Sequence, residues 1–303
     1  MSRLLIILLL GLAAAAAPAA DTRPVRALFI GNSLTYVNNL PAMIEAIAAS
    51  AGLKGRITCR GVAKPDYGLQ EHWDEGDALR GIRNGQWTHI VLQQGPSSQQ
   101  DSRVVLREYA KKFAFEAKAR GGRVIMYGVW PSRTRRDVMD AVTESYRLAA
   151  EDVNGSLVAA GEGWRAAWRR DPSLPLYGPD QFHPSPMGTY LAALMFFEQF
   201  TGRSPVGLPA PDARDKALRD VKIEPAQLKI LQEAAAEASS HARSSRSARI
   251  TPEVAAAVRA ARTSVTTLAF VKFVNFVRES TGRYLISDRM TASTLSCWSG
   301  GAP

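Results

Sequence analysis

Val25-Arg26-Ala27-Leu28-Phe29-Ile30 runs directly into Gly31-Asn32-Ser33-Leu34-Thr35. The first six residues form a nearly unbroken apolar run, as expected of a strand buried on both faces of a parallel sheet. The next five open with glycine and two small polar residues, which suit a tight turn and the start of a helix. A hydroxyl placed just past the end of a strand sits where open α/β sheets bind their ligands. Ser33 is therefore the first candidate nucleophile.

The same alternation continues to about residue 205. Strands are predicted at 25–30, 56–60, 88–93, 123–129 and, more weakly, 156–160. Amphipathic helices are predicted at 40–52, 103–120, 137–152, 186–200 and 224–238. In the second of these, Val105, Tyr109, Phe113 and Phe115 are read as facing inward and Lys111, Lys112 and Lys118 as facing water. Tyr190, Leu191, Leu194, Phe197 and Phe200 give 186–200 a core face. Strands alternating with helices imply right-handed crossovers and one parallel sheet covered on both sides.

A serine hydroxyl becomes a useful nucleophile when a base takes its proton, and the base must be held in one tautomer by an acceptor. Asp180-Gln181-Phe182-His183-Pro184 offers both on one short loop. Of the four histidines, His72, His89, His183 and His241, only His183 has an acid at this spacing. His72 is a rival base without such a partner. Asp180 has the simpler alternative of capping the helix that follows, and Asn32 or Ser33 that of capping its own. An α/β-hydrolase would want Gly-x-Ser-x-Gly after a mid-domain strand; here Thr35 replaces the second glycine and the serine comes too early.

Length and composition frame the rest. At 303 residues the chain can bury a full core. Residues 1–19 read as a secretory signal peptide: Arg3, then the apolar Leu4 to Ala17, then Ala17-Pro18-Ala19 as a cleavage site. The expectation is an exported protein, periplasmic or secreted, with no stable membrane insertion after cleavage. The hydrolytic domain is expected to span 20–238. Residues 239–303 are read as a basic, Ser/Arg/Ala-rich tail, partly disordered, with a linker at 239–249 and one amphipathic helix at 251–279. The net charge of +10 resides mostly there, because that tail carries nine Lys or Arg against three Asp or Glu. The body gives no support for nucleic-acid binding. Two cysteines, Cys59 and Cys297, make no stapled framework, and no Cys/His spacing suggests zinc. No cofactor is expected.

With these residues in place, the chain resembles an SGNH/GDSL-type serine hydrolase. Gly31-Asn32-Ser33-Leu34-Thr35 is similar to that family's first block, with Asn32 where many members have Asp, and Asp180-x-x-His183-Pro184 to its last. Val91-Leu92-Gln93-Gln94 and Asp-x-x-His-Pro-Ser resemble an exported bacterial branch with unassigned substrates. The resemblance covers roughly 24–235. It implies a flavodoxin-like three-layer α/β/α sandwich with about five parallel strands. It also implies Ser33 as nucleophile, His183 as base and Asp180 as the group orienting it. Where the family has an asparagine in its third block, this chain has Gln93-Gln94-Gly95-Pro96-Ser97. Gln94, or else Gln93, is expected to supply the oxyanion-binding amide, beside the backbone N–H of Ser33 and of a second-block glycine, Gly68 or Gly61. The resemblance further implies hydrolysis of acetyl or short acyl esters, carbohydrate among the candidate substrates. Trp130 is a candidate sugar platform or else a packing residue. The competing class is a non-catalytic glycan- or anion-binding protein on the same fold.

Overall fold

The computed structural model describes residues 23–248. The expected signal peptide, the 251–279 helix and Cys297 lie outside them. One compact unit extends through Ala242, and a second, Arg243–Pro303, enters the described residues only at the end of the last helix.

Five parallel strands form one sheet: β1 (Val25–Gly31), β2 (Ile57–Ala63), β3 (His89–Leu92), β4 (Arg123–Gly128) and β5 (Ser156–Ala159), in the order β2-β1-β3-β4-β5. Register is continuous, with Phe29 opposite Gly61 on one side and Val91 on the other. Parallel strands need crossovers, and helices supply them. They are α1 (Ser33–Tyr36), α2 (Leu40–Ala48), α3 (Leu69–Glu75), α4 (Asp77–Asn84), α5 (Gln100–Lys118), α6 (Met139–Asp152), α7 (Ala160–Arg170), α8 (Pro186–Thr201) and α9 (Pro225–Ala248). α2, α7 and α8 pack together, and α3 to α6 form the opposite layer. This is the three-layer α/β/α sandwich expected from the sequence.

The chain steps from β1 outward to β2, then returns past β1 to β3. That reversal opens a crevice at the carboxyl ends of β1 and β3, where such sheets bind ligands. Ser33 follows β1, and Gln93 and Gln94 follow β3.

Two readings of helix faces and ends change. Phe115 is 75% exposed; the inner face of α5 is Leu106, Tyr109, Ala110, Phe113, Ala114 and Ala117. Phe113 and Phe115 lie about 200° apart on a helix, so both cannot face the core. α9 continues to Ala248, through most of the segment read as a linker. Alanine and arginine are good helix formers, and no glycine or proline stops the helix before it. Among the described residues no helix is long and apolar enough to cross a membrane.

Candidate active site

The nucleophile turn is built by its neighbours. Asn32 is extended, and its Oδ1 accepts the Leu34 N–H at 3.1 Å, so Asn32 is the N-cap and Ser33 the first helical residue. Asn32 Nδ2 donates to Tyr67 O at 2.9 Å. Gly31 must lack a side chain, since a Cβ there would lie 2.3 Å from Gln93 Oε1 and 2.6 Å from Thr35 Oγ1. Ser33 is 9% exposed. Its backbone N–H and its Oγ are engaged by no other described residue.

Gln93 holds this turn. Fully buried, it accepts from Asn32 N (2.9 Å) and Thr35 Oγ1 (2.8 Å) and donates to Asn32 Oδ1 (2.8 Å) and Gln94 O (2.6 Å). Both hydrogens and the oxygen of one amide thus lock the strand end of β3 onto the turn after β1. Gln93→Leu leaves the Asn32 N–H and the Thr35 hydroxyl buried without acceptors, at about 1–3 kcal/mol each. Denaturant unfolding should show a loss of roughly 2–6 kcal/mol. A change under 1 kcal/mol would mean the amide is replaceable.

His72 supports the same turn from α3. It is fully buried, and its Nε2–H donates to Gly31 O at 2.7 Å, which leaves Nδ1 as a buried atom without a partner. It therefore serves as a fixed donor beneath the turn rather than as the base. Burial lowers its pKa, against the smaller opposing effect of the Gly31 hydrogen bond. An unfolded histidine titrates near 6.5. Below that pH the unfolded chain binds a proton that folded His72 does not, so stability present above pH 6.5 is lost as pH falls toward the folded value. The loss is at most about 1.4 kcal/mol per pH unit. Chemical denaturation at pH 7 and pH 5 should show a smaller drop in His72→Gln than in the parent protein; equal drops would contradict this.

The loop carrying Asp180 and His183 is held at the same end of the sheet. Asp180 Oδ2 pairs with His183 Nδ1, and Oδ1 accepts the backbone N–H groups of Phe182 (3.1 Å) and His183 (3.0 Å). The His183 contact first, then the backbone donors, hold the Asp180 carboxyl below its ordinary range. Asp180 does not cap α8; Ser185 does, accepting the Gly188 N–H at 3.1 Å. With Nδ1 engaged, Nε2 of His183 is the nitrogen left for a substrate-side proton, and no described residue occupies it. The His183 side chain is 32% exposed, so a substrate can reach it.

Three contacts fix this loop in place. Trp130 Nε1, just past β4, donates to Phe182 O at 3.1 Å, and Arg133 N donates to Gln181 O at 2.9 Å. From the other side Asn38, five residues after Ser33, donates through Nδ2 to Pro184 O (2.8 Å) and Thr189 Oγ1 (2.9 Å). Asn38 thus ties the segment after the nucleophile to the residue after His183. Nothing in the sequence singles Asn38 out, because its partners lie about 150 residues away.

The expected amide donors are corrected. Both hydrogens of Gln94 Nε2 are engaged, by Ser97 Oγ (2.9 Å) and Ser102 O (3.2 Å), while its Oε1 accepts from Leu69 N (3.2 Å). Gln93 is fully engaged as described above. Each glutamine has more acceptors around it than a sequence can reveal, and neither keeps a hydrogen for an oxyanion. Gly68 lies past β2 at the start of α3, close to Gln94, but its N–H donates to Glu71 Oε2 at 2.8 Å. Gly61 is inside β2. The Ser33 N–H has no other acceptor among the described residues. Trp130 is a packing residue: it is fully buried, with its ring stacked on Trp164 at 3.7 Å. A cavity of about 360 Å³ beside α1 is lined by Thr35, Tyr36, Asn39 and Arg60, among others.

Ser33 follows β1 of this open α/β sheet, and Asn38 ties the segment after it to the loop of the Asp180-paired His183, with no hydrogen bond between Ser33 and His183. No protein-family model matches the chain, and no curated protein does. Solved structures are similar to it. A DUF4886 family protein from Bacteroides uniformis is 18% identical with a TM-score of 0.59, covering 71% of this chain and 95% of its own. A candidate SGNH hydrolase from Slackia heliotrinireducens is 28% identical with a TM-score of 0.49, over 58% and 98%. An acetylxylan esterase from Geobacillus stearothermophilus is 15% identical with a TM-score of 0.46, over 60% and 95%. The first of these establishes the shared fold.

Proposed function

We propose that this protein is an exported serine esterase that removes acetyl or other short acyl groups, carbohydrate esters included. The observation that carries the reading is the Asp180–His183 pair, whose loop Asn38 fastens to the segment that follows Ser33. Asp180 fixes the Nδ1–H tautomer, which leaves the Nε2 lone pair to take a proton. Ser33 Oγ attacks the ester carbonyl carbon while His183 Nε2 takes the hydroxyl proton. The negative oxygen of the tetrahedral intermediate is held by the Ser33 N–H; a donor so placed is worth on the order of a hundred- to a thousandfold in rate. His183 then gives its proton to the departing alkoxide as the C–O bond breaks, leaving Ser33 acylated. Water attacks the acyl-enzyme, passes its proton to His183, and the acid leaves as Ser33 recovers its hydrogen. Export rests on the residue pattern of 1–19. Acetylated sugars and longer acyl esters assayed side by side test the reading. Turnover of short esters supports it, and absence of turnover on every ester contradicts it.

A further inference from the structure

Many of the described arginines meet a carboxylate, among them Arg80, Arg83, Arg107, Arg147, Arg165 and Arg169. The 3₁₀ turn Arg133–Val138 departs from this pattern. Arg133, Arg135 and Arg136 are all exposed, and among the described residues none has a carboxylate within ion-pair distance. Arg136 lies over the Trp168 ring at 4.2 Å. The acids nearby do not neutralise the group: Asp140 is held by Arg165 and Asp180 by His183, which leaves Asp137 on the same turn. This turn also touches the candidate site, since the Arg133 N–H holds Gln181 O, two residues before His183. Tyr177, whose hydroxyl donates to Pro131 O at 2.7 Å, stacks on the same Trp168 ring at 5.5 Å.

Unpaired guanidinium groups at the rim of a site favour ligands with planar oxyanions, which they bind through paired N–H donors. They also raise the local concentration of anionic substrates. Resting on the esterase reading above, we infer that the preferred substrate bears a carboxylate or phosphate on its alcohol portion, gripped by Arg133 and Arg135. A neutral sugar ester would leave these charges facing water and gain nothing from them.

The test compares three matched esters: O-acetyl glucose, O-acetyl glucuronate and O-acetyl glucose 6-phosphate, at low and at physiological salt. At least one charged ester should exceed the neutral one in kcat/KM by about tenfold or more, and salt should shrink that ratio. The two charged esters separate carboxylate from phosphate as the source of the anion. In Arg133→Ala/Arg135→Ala the ratio should fall to near one, while the double Lys variant, which keeps the charge and loses the fork, should retain part of it. Equal rates in the parent protein, or a preference that survives in the Ala variant, would overturn the inference. If the neutral ester turns over through Ser33 without preference, the esterase reading stands and this one fails. Glucuronate and glucose 6-phosphate titrated into Ser33→Ala protein separate the two in the other direction. Arginine-dependent binding there without turnover of any ester would keep the anion grip and overturn the esterase reading.

Discussion

Replacing Ser33 by alanine should lower ester turnover by about ten-thousandfold or more while leaving the fold intact. The side chain removed is small and accepts no hydrogen bond from a described residue, so no buried partner is orphaned. The turn is held by Asn32, Thr35 and Gln93 and does not need the hydroxyl. Residual hydrolysis would come from binding and from the Ser33 backbone donor, which alanine keeps. The check is steady-state kinetics on a short acyl ester beside thermal unfolding of both proteins. Activity within tenfold of the parent, with an unchanged melting curve, would exclude Ser33 as nucleophile.

Asp180→Asn should be nearly as damaging, by about a thousand- to ten-thousandfold in kcat, with KM little changed. Asparagine keeps an oxygen for the Phe182 and His183 N–H groups, so the loop turn survives. Its amide, however, presents N–H toward His183 Nδ1 where the carboxylate presented an acceptor. The imidazole then favours the tautomer with hydrogen on Nε2, which cannot take the serine proton. A loss confined to kcat therefore reports tautomer control rather than substrate binding. An equal rise in KM alone would assign Asp180 to binding instead. Because the folded Asp180 carboxyl is held below its usual range, its carboxylate stays ionised into mildly acid solution.

The strands were legible because parallel strands are buried on both faces and leave unbroken apolar runs. The long helices were legible for their amphipathic period, and the Asp180–His183 contact for its spacing on one short loop. Short elements were hidden by residues that usually argue against helix. α7 contains Gly161 and Gly163, which are there for close packing: a Cβ at Gly163 would sit 2.5 Å from Met195 Sδ, and one at Gly161 2.6 Å from Val129 O. α4 carries Gly81 against Leu28 and Val62. The roles of Gln93 and Gln94 were not legible because an amide gives no sign, in sequence, of which acceptors surround it. Asn38 was invisible for the same reason, its partners being distant in the chain.

Activation of Ser33 by His183 would show directly in the reactivity of the serine hydroxyl. A fluorophosphonate reacts with an activated serine and leaves an inert one alone, and peptide mass mapping then locates the adduct. One adduct is expected, on the peptide bearing Ser33, formed at least about a hundredfold more slowly in His183→Ala. An adduct on another residue, no adduct at all, or equal labelling in His183→Ala would contradict it.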